Sequence, residues 1–204
     1  RHPTEARWRT GEPWPVVRQY RRQCPGAAPI AWCPVALLVQ KFGGTSVADA
    51  DRMREVADHV ARTLRHGNQV VLVVSAMGKE TDELLRLAGE VSAIQPGREM
   101  DMLITAGERK AMALVCLALH HIGIDSESFT GSQAGFLTDT SHQNARIVEV
   151  RPDRVRASLD AGRVPVIGGS QGVSTDNDVT FLGRGGSDTT AVALAHALSA
   201  DACE

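Results

Sequence analysis

A lysine, two glycines and two hydroxyl residues follow one another within residues 41–46 (KFGGTS). Glycines let a backbone approach an anion closely, and free N–H groups at the start of a helix bind phosphate. The lysine precedes the glycines here, whereas in a Walker A motif it follows them. The segment therefore indicates either a phosphate site of another type or a plain turn from strand to helix, capped by Thr45 or Ser46.

A second glycine-rich segment, residues 183–190 (GRGGSDTT), opens the last predicted helix. Arg184 can hold a carboxylate through two parallel hydrogen bonds. Asp188 can orient a lysine or a magnesium-bound phosphate, or it can cap the helix, as Ser187 can. Capping explains the serine and the aspartate but not an arginine inside a glycine cluster, so we predict a functional role for this segment.

Two further segments adjoin predicted buried elements. Residues 105–109 (TAGER) precede the most apolar helical stretch, where the Glu108 carboxylate needs a partner or a substrate amine. On the residues of this segment alone, we predict a surface ion pair of Glu108 with an arginine or a lysine rather than a substrate contact. Residues 75–83 (SAMGKETDE) follow a buried strand, so Ser75 can reach a ligand, and Thr81 can cap the next helix.

The remaining reactive residue types form no recognisable site. The seven histidines and four cysteines show no spacing typical of metal ligands, and no CxxC pair occurs. No Ser-His-Asp arrangement can be identified, so hydrolase chemistry has no positive support. We predict no metal site built from side chains.

Short runs bounded by turn residues predict the strands that must position these segments. The runs are residues 35–39, 70–74, 127–129, 145–150 and 164–167. An apolar stripe at spacings of three and four predicts the first helix, which ends at residues 66–68. Further helices are predicted from residue 84 towards Pro96, over residues 98–122, 153–160 and 187–199, the last with a serine or aspartate N-cap.

Alternation of strands and helices predicts a parallel sheet covered on both faces. In such sheets ligands bind beyond the carboxyl ends of the strands. That rule brings together the loops at residues 41–46, 75–78 and 168–171. Residues 111–119 (AMALVCLAL) are apolar all round, so we expect this part of the long helix to be buried on every side.

Composition describes an ordinary globular protein, with 43% hydrophobic and 23% charged residues and a net charge of −2. No apolar run is long enough to cross a membrane, and the charge gives no sign of nucleic-acid binding. Residues 1–34 differ from the rest: they hold all three tryptophans, the only tyrosine and a formal charge of +4. We predict that residues 1–34 are a disordered or non-native extension.

Taken together, the segments KFGGTS, TAGER and GRGGSDTT resemble the catalytic domain of bacterial aspartate kinases, within the amino-acid kinase superfamily. The resemblance covers residues 35–204 and is strongest to the actinobacterial type. It implies an α/β fold, a three-layer αβα sandwich with a mainly parallel sheet of the carbamate kinase-like type, truncated at the C-terminus. It also implies transfer of the γ-phosphoryl of MgATP to the side-chain carboxylate of L-aspartate, the first step towards lysine, threonine and methionine.

The resemblance assigns roles to matching residues. Lys41 would stabilise charge on the transferred phosphoryl group, Asp188 would hold Lys41, and Gly43 and Gly44 would donate backbone N–H groups to phosphate. Thr45 and Glu108 would bind aspartate, with Glu108 facing its amino group, and Arg184 would hold a carboxylate of aspartate. The same cleft would be lined by Ser75, Thr81, Asp82 and Ser187.

This chain departs from the family pattern in three places. Val35 falls where such proteins begin, which suggests that residues 1–34 are upstream sequence. Ser170 stands where the family usually has phenylalanine, which alters the expected aspartate pocket. The chain stops at Glu204, before the adenine-binding part and the ACT domains of the family, so we expect this polypeptide to be weakly active or inactive.

Two other classes of function stay open. One is another enzyme of the superfamily, a glutamate, acetylglutamate or UMP kinase, and the other is a non-catalytic module that binds aspartate. The resemblance further implies a cytoplasmic protein that uses ATP and Mg²⁺. It implies homo-oligomers of the full-length parent, and no nucleic-acid or membrane partner.

Overall fold

The computed structural model describes residues 36–204, so the prediction for residues 1–34 lies outside the described region. Its strands are β1 (Leu37–Phe42), β2 (Gln69–Val74), β3 (Ser126–Phe129), β4 (Phe136–Thr138), β5 (Ile147–Val150), β6 (Val164–Gly168), β7 (Gln171–Ser174), β8 (Val179–Phe181) and β9 (Ala202–Cys203). Its helices are α1 (Ala50–Arg65), α2 (Glu80–Val91), α3 (Gly97–His121), α4 (Asp153–Asp160) and α5 (Gly186–Leu198), with a 3-10 helix at Gly44–Val47.

The main sheet has the strand order β3-β6-β2-β1-β9, and all its pairs are parallel. Residues 70–74 of β2 are all buried, because successive side chains point into two different apolar clusters. One cluster packs β2 against α1 and α3, and the other packs it against α4 and α5. The predicted three-layer α/β sandwich with a mainly parallel sheet is confirmed.

A second sheet, with the order β5-β4-β7-β8, was only partly predicted. It is mixed, with β4 and β7 parallel and the outer pairs antiparallel. Strands β4, β7 and β8 are three or four residues long and hold threonine, glycine and glutamine, so they show no apolar run. Pairing within this sheet is decided by tertiary contacts such as the 2.7 Å hydrogen bond between the Thr138 and Thr180 hydroxyls.

Helices α3, α4 and α5 match their predicted boundaries to within one residue, whereas α2, predicted from residue 84 towards Pro96, lies at Glu80–Val91, and the burial of α3 also differs from the prediction. The predicted end of α1 is confirmed, since Gly67 adopts a positive φ of 87° directly after the cap residue His66. Residues 111–119 were expected to be buried on every side, and this is wrong: Leu117 is 62% exposed. Helix α3 rests on the main sheet with one face only.

In the described part of the chain, no helix is both long and apolar enough to cross a membrane.

Candidate functional site

The three loops selected by the sequence lie side by side at the carboxyl edge of the main sheet. Backbone hydrogen bonds join them: Ser75 N–H donates to the Phe42 carbonyl at 3.1 Å, and Gly78 N–H donates to the Gly44 carbonyl at 2.9 Å. On the other side, Gly169 N–H donates to the Val74 carbonyl at 2.8 Å. Adjacent parallel strands thus bring segments more than 120 residues apart into one surface.

The glycine turn after β1 packs tightly against the loop after β2. A β-carbon on Gly44 would lie 2.7 Å from the Ala76 carbonyl oxygen, which leaves room only for glycine. The 3-10 helix that follows has Gly43 at its N-cap and no side-chain cap. Capping by Thr45 or Ser46 is therefore wrong, because the cap of the next helix, α1, is the Asp49 carboxylate, which accepts from Arg52 N–H at 2.9 Å.

Lys41 and Asp188 meet above this turn. The Lys41 ammonium lies 2.7 Å from Asp188 Oδ1, and it also lies 3.5 Å from the position of a β-carbon on Gly43. The lysine belongs to β1, which extends three residues beyond the predicted run, and the aspartate belongs to the first turn of α5. The contact between them that the family resemblance implies is thus present.

The start of α5 differs from the prediction. Gly185, with a φ of 75°, is the N-cap, and no side chain caps the helix, so a serine or aspartate cap is wrong. Both candidate caps are engaged elsewhere: the Asp188 carboxylate binds Lys41, and Ser187 is buried against the turn at Gly169. The first N–H groups of α5 are therefore left without a side-chain acceptor beside the Lys41–Asp188 pair.

Glu108 is the most unusual residue of the site. It is 2% exposed, and its Oε2 has no hydrogen-bond partner. Burial raises the pKa of this carboxyl from 4.5 to about 7, an effect that the backbone N–H groups of Glu108 and Ala76 only partly offset. The predicted surface ion pair is wrong. A buried carboxylate oxygen without a partner is suited to receive a cationic group of a ligand.

The other predicted residues surround this centre less closely. Ser75 is half-buried at the end of β2, and Thr81 and Asp82 lie in the first turn of α2, whose N-cap is Lys79 instead of Thr81. Arg184 is exposed in the turn before α5. Over residues 36–204, no hydrogen bond or ion pair joins Arg184 or Asp82 to Lys41, Glu108 or Asp188.

Two residues of the region were given no role from the sequence. Gln171, the first residue of β7, is 1% exposed, and its Nε2 has no partner. Its place in the predicted ligand loop at residues 168–171, two residues after Gly169, was the available signal. The Asp101 carboxylate, fully buried, accepts from Gln143 N–H at 2.8 Å and lies 2.7 Å from His142 Nδ1.

Within the described residues, no group of three His, Cys, Asp or Glu side chains could hold a metal ion.

The fold and the site define an α/β protein with a lysine and a glycine turn at the carboxyl edge of its sheet. Comparison with known families agrees: residues 36–204 match the family model described as the amino acid kinase family. The chain belongs to the amino acid kinase family.

The names of similar curated proteins point to a narrower group than the family description does. The chain is 58% identical over 171 residues to an aspartokinase of Mycolicibacterium smegmatis and, to the same degree, to one of Corynebacterium glutamicum. Each match covers 83% of this chain and 41% of the relative. The chain thus spans about two fifths of the length of these relatives.

Solved structures of the family have the same fold. The aspartate kinase from Synechocystis superposes with a TM-score of 0.72 at 47% identity, over 82% of this chain and 28% of that one. Aspartokinase III of E. coli, solved in complex with lysine and aspartate, gives a TM-score of 0.74 at 25% identity, over 82% and 48%. The similarity extends over nearly all the described residues.

Proposed function

We propose that this chain carries the phosphate-binding and amino-acid-binding parts of an aspartate kinase, which transfers the γ-phosphoryl of MgATP to L-aspartate. The observation that carries the proposal is the placement of two opposite chemistries along one sheet edge. The Lys41–Asp188 pair lies over the glycine turn, and the buried Glu108 carboxylate lies against the adjoining loop at Ala76. The aspartokinase names of the 58% identical relatives support the same assignment.

On the phosphate side, the Lys41 ammonium supplies a positive charge beside backbone N–H groups of Gly43 and Gly44. The uncapped start of α5, with Ser187 in its first turn, adds a partial positive charge from the opposite side. Asp188 keeps Lys41 directed at this point. Mg²⁺ prefers phosphate oxygens and water, so we propose that it enters with ATP and is held mainly by the nucleotide.

On the amino-acid side, we assign the substrate ammonium to the unpartnered Oε2 of Glu108. The exposed guanidinium of Arg184 can hold a carboxylate of aspartate through two parallel hydrogen bonds. Thr45, Ser75, Thr81 and Asp82 complete the rim of this cleft, as the resemblance implies. The Arg184 guanidinium and the Glu108 carboxylate together select a ligand that carries both a carboxylate and an ammonium group.

Phosphoryl transfer in this site needs positioning and charge neutralisation more than proton chemistry. The side-chain carboxylate of aspartate is ionised at neutral pH and is itself the nucleophile, so no general base is required. One of its oxygens bonds to the γ-phosphorus while the bond from that phosphorus to the ADP oxygen breaks. The products are 4-phospho-L-aspartate and ADP, and Lys41 stabilises the charge on the phosphoryl oxygens in between.

The proposal includes a biological setting. An aspartate kinase supplies the activated acid for lysine, threonine and methionine synthesis, and we place it in the cytoplasm with ATP as phosphoryl donor. We also propose that it acts as a homo-oligomer. The aspartokinase names of the relatives support the reaction, whereas the cytoplasmic location and the homo-oligomer are what the family resemblance implies.

Ligand selection tests the amino-acid assignment. Calorimetric titration of the 204-residue chain with L-aspartate, L-glutamate, N-acetylglutamate and UMP should show tightest binding of L-aspartate, the amino acid that the aspartokinase names of the relatives imply. Preferred binding of UMP or of either glutamate would assign the chain to another enzyme of the superfamily.

Trapping the product tests the catalytic assignment. Hydroxylamine converts an acyl phosphate into a hydroxamate, so the chain with MgATP and L-aspartate should accumulate aspartyl hydroxamate over a long incubation, at the low rate expected of a chain that spans about two fifths of its relatives. Lys41→Met should remove the product and leave aspartate affinity unchanged, whereas Lys110→Met, at an exposed ion pair with Glu80, should leave both unchanged. Aspartate binding with no hydroxamate would favour a non-catalytic binding module.

A further inference from the structure

Two buried side chains, each with a polar atom that has no partner, lie against the same glycine. Gln171 Nε2 is a donor with no acceptor, and Glu108 Oε2 is an acceptor with no donor. A β-carbon on Gly168 would lie 2.5 Å from Gln171 Nε2 and 3.4 Å from the β-carbon of Glu108. The two side chains therefore occupy the space that the glycine leaves open at the carboxyl end of β6.

The backbone around Gln171 holds this side chain in place. A β-carbon on Gly131 would lie 2.0 Å from the Gln171 carbonyl oxygen, so the two backbones are in direct contact. The preceding residue, Ser170, has a φ of 58°; its N–H donates to Thr190 Oγ1 at 3.0 Å, and its carbonyl accepts from Leu182 N–H at 2.8 Å. The amide is thus presented by a rigid turn, which favours a ligand contact of defined geometry.

A buried donor and a buried acceptor that do not bond each other are unfavourable unless other groups satisfy them. Because both side chains contact Gly168, a single ligand satisfies both atoms when it offers an acceptor to Gln171 and a donor to Glu108. An α-amino acid does so from one carbon atom, which carries both the carboxylate and the ammonium. The main-chain end of the substrate therefore fits the pair, whereas a carboxylate alone or an amine alone leaves one atom unsatisfied.

We propose that Gln171 is a substrate-binding residue whose Nε2 donates to the α-carboxylate of the amino acid while Glu108 accepts from its ammonium. The inference rests on the proposed function and extends it to a residue outside the lysine and arginine segments. Gln171 and Glu108 would then bind α-amino acids selectively. A substrate that lacks the α-carboxylate loses the contact with Gln171 and keeps the contact with Glu108.

β-Alanine is the matching probe, because it is aspartate without the α-carboxylate. Calorimetry on the 204-residue chain should show L-aspartate binding at least tenfold more tightly than β-alanine, the range for a hydrogen bond to a charged group. Gln171→Met keeps the length and volume but has no donor, so it should weaken L-aspartate at least tenfold and leave β-alanine unchanged. Gln95→Met, at an exposed loop position, is the matched control and should change neither affinity.

Each outcome of these titrations supports or overturns the proposed role of Gln171. A preference for L-aspartate over β-alanine that persists in Gln171→Met overturns the inference and leaves the proposed function standing. Equal weakening of both ligands shows a purely structural role and overturns it as well. A wild-type chain that binds neither ligand overturns the proposed function together with the inference. If the methionine variant does not fold, Gln171→Asn, which keeps the amide but withdraws it by one methylene, should show the same selective loss.

Discussion

Glu108→Gln should remove a pH-dependent destabilisation of the fold. Burial raises the pKa of this carboxyl from 4.5 to about 7 in the folded chain. Between those two pH values the folded state binds more protons than the unfolded state, so the free energy of unfolding falls as pH rises. A shift of about 2.5 units at about 1.4 kcal/mol per unit makes the full loss about 3 kcal/mol above pH 7.

The glutamine variant carries no such charge. Relative to the wild type, its free energy of unfolding should therefore gain about 3 kcal/mol between pH 4 and pH 8, on top of any constant cost of the buried amide. Urea unfolding of both proteins at several pH values measures this difference. Glu90→Gln, at an exposed ion pair with Arg86, is the control and should show a nearly flat difference.

The same titration should govern ligand binding. The ionised carboxylate binds an ammonium group much more strongly than the protonated acid does, so wild-type affinity for L-aspartate should fall by up to about tenfold per pH unit below pH 7. A variant-to-wild-type stability difference that does not change with pH would refute this reasoning. So would an aspartate affinity that stays constant from pH 8 to pH 5.

Three further predictions concern the frame of the site. Asp188→Asn leaves the lysine of the site without its charged partner and should slow hydroxamate formation tenfold or more, with aspartate affinity unchanged in calorimetry. Gly44→Ala places a β-carbon 2.7 Å from a backbone carbonyl and should lower urea stability by about 1–3 kcal/mol, whereas Gly89→Ala, in an open position of α2, should raise it by up to about 1 kcal/mol. His142→Ala leaves the fully buried Asp101 carboxylate with one partner fewer and should cost about 2 kcal/mol in the same assay, while an unchanged unfolding midpoint would contradict this.

The main sheet could be predicted because its strands carry their own signal. Residues 70–74 are five consecutive β-prone apolar residues, and only a strand covered on both faces buries all of them. The stripe on α1 and the glycine after it are equally local signals. The second sheet could not be predicted from the sequence, because β4, β7 and β8 are short and partly polar. Cross-strand contacts between residues far apart in sequence stabilise them.

The capping predictions failed at the site itself. Ser187 and Asp188 have the residue types of helix caps, yet Asp188 binds Lys41 and Ser187 packs against Gly169. A side chain with two possible local roles takes the one that the tertiary contacts make more favourable. That choice depends on β1 and α5 meeting across almost 150 residues, which no local pattern records.

By itself the sequence determined the chemistry that is available: a lysine before two glycines, a carboxylate in TAGER, and an arginine and an aspartate in GRGGSDTT. It also predicted the buried strands that end at the loops of residues 41–46, 75–78 and 168–171. Only the tertiary structure decided that Glu108 Oε2 is buried without a partner and that the Glu108 and Gln171 side chains both lie against Gly168. The reason is that burial and pKa depend on what surrounds a group in space, whereas residue type and spacing describe only its neighbours along the chain.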